Sequence, residues 1–283
     1  MLKALNQHWP EYLMEAGELG AFLISACVFT VVLYYPGSTV AQAISDPKLR
    51  RVLVGMAMGL TALLIVRSPW GKQSGAHFNP SITLTFFRLG KIELWDALFY
   101  VVFQFVGAVA GVAIVAVLLR MAAGHPAVLY AATVPGPRVA FTAEFIMALL
   151  LMLLILIVSN TERLARYTPF LAALLVVTYI SLESPLSGMS MNPARSFGSA
   201  VAARLWTGLW IYFTAPPLGM LLAAQFYLTV KGTHAVICAK LDHHNQKRCI
   251  FRCGYREAAF SSQDQAVKLE QRVARQRFPA GLR

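Results

Sequence analysis

The sequence predicts an all-α membrane protein with six spanning helices and two shorter re-entrant helices, arranged as an inverted repeat. Three observations lead to this fold class: the composition, six long apolar stretches and two Asn-Pro pairs between them. The 283 residues are 57% hydrophobic and 13% charged, with a mean hydropathy of +0.58. Soluble domains carry about 25% charged residues, so too few polar side chains remain here to cover a soluble surface. Lipid is the expected solvent.

The apolar stretches give the predicted spans. A helix needs about 20 mostly apolar residues to cross a bilayer. Six stretches approach or reach this length, at 13–35, 52–66, 95–119, 139–159, 169–182 and 206–230. Two further stretches, 80–89 and 193–205, are too short to span. Asn is a good N-cap and Pro suits the first helical position, so Asn79-Pro80 and Asn192-Pro193 each predict the start of a short helix.

An internal repeat relates the two halves of the chain. The two Asn-Pro pairs are 113 positions apart (192 − 79), and Gly107 and Gly219 in the following spans are 112 apart. Repeat 1 covers about 13–119 and repeat 2 about 139–230, within a membrane-embedded domain of residues 1–230. Each repeat has an odd number of spans, so the second is inverted across the membrane. Paired interrupted helices in such repeats indicate a site at the midplane.

The remaining residues, 231–283, form a basic tail. It holds eleven Lys and Arg against four Asp and Glu, a net charge of +7 (11 − 4) out of +12 for the chain. Basic residues in the links after the second and fourth spans, and in this tail, outweigh those in the first loop, which places both termini in the cytoplasm. We therefore expect a cell-membrane protein, plasma or bacterial inner, whose tail faces anionic lipid rather than nucleic acid.

Two segments resemble the signature loops of the aquaporin family: His77-Phe78-Asn79-Pro80-Ser81, and Met191-Asn192-Pro193-Ala194-Arg195-Ser196-Phe197-Gly198. One Asn-Pro-Ala triplet occurs by chance, whereas two at matching places in an inverted repeat are specific. The resemblance implies a homotetramer in which each subunit has its own pore. It also implies a passive channel for water or another small neutral solute, with no enzymatic activity and no cofactor.

The physics of such a pore follows from the two loops. Backbone that is not helical is tolerated at membrane depth only where it lines a cavity or is buried in protein. The carbonyl groups predicted to form a ladder along the pore are those of Gly75, Ala76, His77, Gly188, Met189 and Ser190. Both half-helix N-termini point at the centre with partial positive charge, and the amides of Asn79 and Asn192 donate hydrogen bonds there. Aquaporin-type pores are the established example of this exclusion of protons and cations.

By the same resemblance, Arg195 belongs to the narrowest constriction. The matching positions are Ile180, Met189 and either Met58 or Gly59, depending on one loop residue. Many water-selective members have an aromatic residue and a histidine here. Without them, larger solutes meet less steric exclusion, and Met side chains are flexible.

The remaining positions favour water over glycerol as the main substrate. Glycerol channels of the family usually have Asp directly after the arginine, where this chain has Ser196. We therefore expect water as the main substrate, with a glycerol or small-solute facilitator as the alternative. A secondary carrier and a closed pore with an adhesive role are the rival classes, and the predicted midplane offers no carboxylate for ion coupling.

Two further features stay open at this stage. Glu144, at the start of a span, resembles the family glutamate that accepts hydrogen bonds from loop amides. Its counterpart in the first repeat stays open, because Glu15 and Glu18 both miss the expected place, which Gly17 occupies. In the tail, Cys238, His243, His244, Cys249 and Cys253 fall within sixteen positions (253 − 238 + 1). Either they bind zinc, or they are unligated among lipid-facing basic residues. Farther along the tail, the sequence also predicts a short basic helix at 262–278, which either lies on the membrane surface or binds a partner.

Overall fold

The computed structural model describes residues 1–119, 136–243 and 245–255. Within these ranges the chain is helical and contains no strand. The helices are α1 (Leu2–Tyr34), α2 (Thr39–Ala43), α3 (Pro47–Arg67), α4 (Pro69–Ser74), α5 (Pro80–Arg88), α6 (Leu94–Leu118), α7 (Pro137–Ser159), α8 (Thr168–Leu182), α9 (Ser184–Ser187), α10 (Pro193–Ala203) and α11 (Leu209–Lys231). Short 3-10 turns precede α8 and follow α11.

Six of the helices in the described ranges are long and apolar enough to cross a membrane: α1, α3, α6, α7, α8 with its preceding turn, and α11. The predicted fold class is confirmed. The first helix begins at Leu2, well before the predicted start at 13. Hydropathy missed this extension because its residues are polar. Glu11 in the extension, and Glu15 and Glu18 farther along α1, all face the protein interior.

The two half-helices begin where the Asn-Pro pairs predicted. Asn79 is the N-cap of α5, and its side-chain oxygen accepts a hydrogen bond from the backbone N–H of Ser81. Asn192 is the N-cap of α10, and its side-chain oxygen accepts from the N–H groups of Ala194 and Arg195. Side-chain caps of this kind are worth about 1 kcal/mol each, so the start of each half-helix is determined locally.

The spans pack in pairs that follow the repeat: α1 against α6, α7 against α11, and α3 against α8 across the repeats. Glycine permits the closest crossings. A Cβ atom on Gly107 would lie 2.1 Å from the carbonyl oxygen of Ala16, and one on Gly219 would lie 2.4 Å from that of Phe145. The outward faces carry exposed large apolar side chains, among them Leu64, Val106 and Leu174. Such faces need lipid or another subunit against them.

Candidate pore

The loops before the two half-helices have an unusual backbone that repeats at the same offset. Ala76 and Phe78 have φ values of 56° and 30°, and Met189 and Met191 have φ values of 48° and 51°. For residues with a side chain, this left-handed region costs roughly 1–2 kcal/mol per residue. Both pairs are 113 positions apart (189 − 76 and 191 − 78). Surrounding contacts must therefore hold each loop in this conformation.

A buried glutamate holds each loop. Glu144 accepts hydrogen bonds from the backbone N–H groups of Ser190 (2.8 Å) and Met191 (2.6 Å). Glu15 does the same for His77 (2.8 Å) and Phe78 (2.7 Å). Charge-assisted hydrogen bonds to backbone amides are about twice as strong as neutral ones.

The partner of Glu144 in the first repeat is therefore Glu15. The sequence left this counterpart open, because Glu15 and Glu18 both miss the expected place, which Gly17 occupies; the hydrogen bonds to the loop identify Glu15. The two glutamates are 129 positions apart (144 − 15), whereas the loops they hold are 113 apart. The segment between glutamate and loop also differs in length, 62 positions from Glu15 to His77 and 46 from Glu144 to Ser190, so counting along the chain did not align the two glutamates.

Further pairs extend the correspondence between the loops. The hydroxyl of Ser74 accepts from the backbone N–H of Ala76 (3.0 Å), and that of Ser187 accepts from Met189 (3.2 Å). The Tyr100 hydroxyl donates to the carbonyl of Ser74, and the Tyr212 hydroxyl donates to the carbonyl of Ser187. The inverted repeat therefore extends to individual hydrogen bonds.

The two central asparagines join the loops to each other. The side-chain amide of Asn79 donates to the carbonyl of Met191 (2.8 Å), and that of Asn192 donates to the carbonyl of Phe78 (2.7 Å). An amide NH₂ carries two hydrogens. One hydrogen of each asparagine is used in this cross-link, and the oxygen caps a half-helix. The second hydrogen of each remains for a molecule in the adjoining cavity, whose wall includes both asparagines.

The cavity has a volume of about 240 Å³, runs past both asparagines and is mainly apolar. At one end, called here the Arg195 end, the wall includes all four residues assigned to the constriction: Met58, Ile180, Met189 and Arg195. One nitrogen of the Arg195 guanidinium, Nη1, is buried without a hydrogen-bond partner among the described residues.

Gly59 and Arg51 are two further residues of α3 that bear on this end of the cavity. Gly59, the alternative to Met58, lies instead at the crossing of α3 with α8, where a Cβ atom would be 2.9 Å from the Ala173 carbonyl oxygen. Arg51, which sequence reasoning did not select, is also on the cavity wall and adds a second guanidinium to this region. The predicted span began at residue 52, whereas α3 begins at Pro47, so Arg51 fell outside the predicted helix.

Four of the six residues predicted to form the carbonyl ladder line the cavity: His77, Gly188, Met189 and Ser190. Gly75 and Ala76 do not. The carbonyl of Gly75 accepts a hydrogen bond from the backbone N–H of Leu241 (3.1 Å), and Ala76 is fully buried. Leu241, which follows the last span, therefore occupies the place beside the Gly75 carbonyl where a solute was expected.

Comparison with known proteins places this architecture in a family. A family model described as "Major intrinsic protein" matches residues 12–227. The chain belongs to the major intrinsic protein family. Aquaporin NIP1-1 of Arabidopsis thaliana is 31% identical over 219 residues, which cover 75% of this chain and 74% of the relative. Aquaporin NIP2-3 of Zea mays is 31% identical over 229 residues, covering 80% and 74%.

A solved structure gives the same fold. The aquaglyceroporin from Plasmodium falciparum superposes with a TM-score of 0.64 at 19% identity, covering 78% of this chain and 96% of the other. Members of the major intrinsic protein family are passive channels for small solutes, and this chain is such a channel rather than an enzyme. These channels need no cofactor.

The family match ends before residues 236–243 and 245–253, which we call the C-terminal segment. The charge of the tail predicted contact with anionic lipid, and this part of it also contacts the protein. The C-terminal segment packs against the loop before α5, at the end of the cavity opposite Arg195, called here the tail-side end. Leu241 forms part of the cavity wall. The Nε2 of His77 donates to the Ala239 carbonyl (2.8 Å), and the His77 ring stacks on Phe251 at 5.4 Å between centroids.

Basic residues of the C-terminal segment pair with protein groups. Lys240 is only 2% exposed, and its ammonium donates to the carbonyls of Lys72 (2.8 Å) and Arg248 (2.7 Å). Burial lowers the pKa of this ammonium from its ordinary value. Arg248 forms an ion pair of 2.5 Å with Glu11, which is fully buried. Sequence reasoning missed these contacts because charge and hydropathy do not identify the acceptors of a basic residue.

The four tail residues named as possible metal ligands lie together. The ligand atoms of Cys238, His243, Cys249 and Cys253 are all within 4.8 Å of one another. Cys238 is buried, and Cys249 and Cys253 are partly buried. His244 and the helix expected at 262–278 lie outside the described residues.

Proposed function

We propose that this chain conducts water as its main substrate and also admits small neutral solutes of about glycerol's size, while it excludes protons and ions. The observation that carries the proposal is the pair of central asparagines, each oriented by backbone hydrogen bonds to both ends of its side-chain amide and each with one N–H hydrogen left for a molecule in the cavity. Two donors facing one point suit an oxygen atom that accepts twice.

Exclusion of charge follows from the same geometry. A water molecule that accepts from Asn79 and Asn192 directs both of its own hydrogens away from the centre, so it cannot relay a proton through that point. The N-termini of α5 and α10 add about half a positive charge each at the centre. A cation also meets the guanidinium of Arg195, for which no partner is described at Nη1. These terms repel cations and leave neutral solutes unaffected.

The Arg195 end supports the wider solute range. Met58, Ile180 and Met189 replace the aromatic residue and the histidine of many water-selective members. An apolar wall accepts the carbon side of a small polyol, and the guanidinium groups of Arg195 and Arg51 can donate to its hydroxyl groups. Methionine side chains can adjust to solutes of different width. The name of one solved structure with this fold, an aquaglyceroporin, agrees with this range of solutes.

We also propose that both termini are cytoplasmic, that the protein resides in the cell membrane, and that it assembles as a homotetramer. The basic residues next to the spans support the orientation. The exposed apolar faces of the spans support contact with lipid and with other subunits. In this orientation the tail-side end of the cavity is cytoplasmic, and the Arg195 end faces the outside.

Stopped-flow light scattering on proteoliposomes tests the proposal, first with a sucrose gradient and then with a glycerol gradient. We expect fast shrinkage with a low activation energy and no saturation at high solute concentration. Saturation would favour a secondary carrier. Permeability no higher than in empty liposomes, measured after metal chelation as well as before it, would contradict the channel.

The variant Ile180→His tests the solute range. We expect the imidazole to narrow the constriction, so that glycerol permeability falls several-fold, about 1 kcal/mol in the barrier, while water permeability changes little. The control is Ile180→Leu, a swap of equal volume that should leave both rates unchanged. Equal losses for water and glycerol in Ile180→His would show that this side chain does not select between them.

A further inference from the structure

The Cys/His cluster has the dimensions of a tetrahedral metal site. The sulfur atoms of Cys238 and Cys249 are 3.6 Å apart. With Zn–S bonds of about 2.3 Å, two sulfurs of a tetrahedral zinc site lie about 3.8 Å apart. The Nε2 atom of His243 is 3.0 Å from the sulfur of Cys253, so this ring nitrogen points into the cluster. Three thiols and one imidazole form a closed, four-ligand set typical of structural zinc.

A disulfide explains the cluster less well. The separation of 3.6 Å between the Cys238 and Cys249 sulfurs is far above the bond length of about 2.05 Å. A disulfide would leave Cys253 and His243 without a role, although both are directed at the same point. Zinc accounts for all four side chains together.

We propose that Cys238, His243, Cys249 and Cys253 bind zinc, and that the bound metal holds the C-terminal segment across the cytoplasmic end of the pore and lowers its permeability. The inference rests on the proposed function, because it assumes a conducting pore between the Arg195 end and the tail-side end.

Two stretches of the C-terminal segment connect the cluster to the pore loop, and zinc ligands flank both. Ala239, Lys240 and Leu241 lie between the ligands Cys238 and His243, and Phe251 lies between Cys249 and Cys253. Through these residues the segment reaches the Gly75 carbonyl, the His77 ring and the cavity wall. A metal that fixes the ends of both stretches also fixes their contacts with the pore loop.

The C-terminal segment lies across the mouth rather than beside it, because it contacts the elements that surround the tail-side end. Asp242 lies 3.7 Å from Arg67 at the end of α3, and Arg248 pairs with Glu11 of α1. The backbone N–H of Ile237 donates to the side chain of Asn160 after α7 (2.6 Å). That of Arg252 donates to the carbonyl of Lys91, in the link between α5 and α6 (3.0 Å).

The segment needs a cross-link to keep this position. Residues 236–243 and 245–253 contain no helix or strand, and they bury the charged side chain of Lys240. Ordering an irregular segment costs backbone entropy at every residue, so a segment of this length requires strong compensation. In small zinc-binding peptides, the binding of structural zinc is what drives folding. Metal loss should therefore release the segment and expose the Gly75 carbonyl to solute.

Metal content is the first measurement, made on the full-length protein purified without chelator. We expect about one zinc per chain, and cobalt substitution should give the absorption of a tetrahedral thiolate site. The double variant Cys249→Ser with Cys253→Ser should lose the metal. Its matched control is Cys27→Ser, which alters a buried cysteine of α1 outside the cluster.

Permeability is the second measurement, made in proteoliposomes with zinc present or after treatment with a membrane-permeant chelator. We expect water permeability to rise about tenfold on chelation, a shift that zinc at 100 times its Kd can impose on a two-state segment. The double variant should be permeable with or without zinc, and Cys27→Ser should respond as the wild type does. Use of the wild type with chelator keeps the test independent of variant folding.

Three results would overturn the inference: a wild-type protein without bound zinc, a Cys238–Cys249 disulfide in the purified protein, or equal permeability with and without bound zinc. In the last case both states conduct, and the proposed function stands. If zinc binds but neither the zinc-loaded nor the chelated protein conducts water or glycerol, the proposed function fails and metal binding remains established.

Discussion

The two re-entrant loops share one hydrogen-bonding scheme but meet different neighbours. In each loop a buried glutamate accepts two backbone N–H groups, and an asparagine links to the opposite loop. His77 and Ser190 occupy equivalent places, 113 positions apart. The imidazole of His77 donates to the C-terminal segment, whereas the Ser190 hydroxyl bonds within its own loop and half-helix.

The shared contacts and the differing contacts of the two loops serve different functions. The contacts shared by the repeats shape the pore centre, where both halves must present the same donors to one solute. The contacts that differ lie farther out, with the C-terminal segment at one end and Arg195 at the other. Selection and control can therefore vary at the ends of the pore without altering its centre.

The largest expected effect comes from removing the glutamates. Glu15→Ala and Glu144→Ala should destabilise the protein to a similar extent, because each leaves two backbone N–H groups without their acceptor at about 1–3 kcal/mol per group. The thermal unfolding midpoint in detergent measures this, and the exposed Glu162→Ala is the control. A large loss for Glu144→Ala with none for Glu15→Ala would refute the equivalence of the two anchors.

A smaller effect is expected where the half-helices differ. Arg195 and Ile82 are equivalent by the repeat, 113 positions apart, and both lie on the cavity wall. Arg195→Val should raise glycerol permeability relative to water about tenfold, or about 1.4 kcal/mol in the barrier, and allow a proton leak. Ile82→Val should change the ratio little. Stopped-flow rates and a pH-sensitive dye measure both, and an unchanged ratio in Arg195→Val would remove Arg195 from the selective constriction.

The smallest effect is expected where the two Asn-Pro motifs differ, Ser81 in the first and Ala194 in the second. The Ser81 hydroxyl is buried and has no hydrogen-bond partner in the part of the chain that the structure describes. Ser81→Ala should therefore shift the free energy of unfolding by less than about 1 kcal/mol and leave water permeability unchanged. Ser74→Ala, which removes hydrogen bonds to Glu18 and Ala76, should destabilise more. The opposite order would give Ser81 a specific role.

The parts of the site that were predictable are those specified by short stretches of sequence. Asn79 and Asn192 cap helices that begin at the next residue, so both half-helices could be located from the sequence. Glu15 was considered but could not be assigned, because its partnership with the loop depends on the length of the intervening segment. Gly75 was assigned to the pore wall because nothing in the loop sequence shows that Leu241 would reach its carbonyl.

The sequence by itself determined the membrane class, the six spans, the inverted repeat and the two half-helices. Composition, hydropathy and helix capping are properties of neighbouring residues, and they need no knowledge of distant contacts. Only the tertiary structure decided that Glu15 anchors the first loop, that Met58 rather than Gly59 lines the cavity, and that the C-terminal segment lies over the end of the pore. The physical reason is that each of these depends on how far apart separate helices lie after packing, and local sequence does not encode that distance.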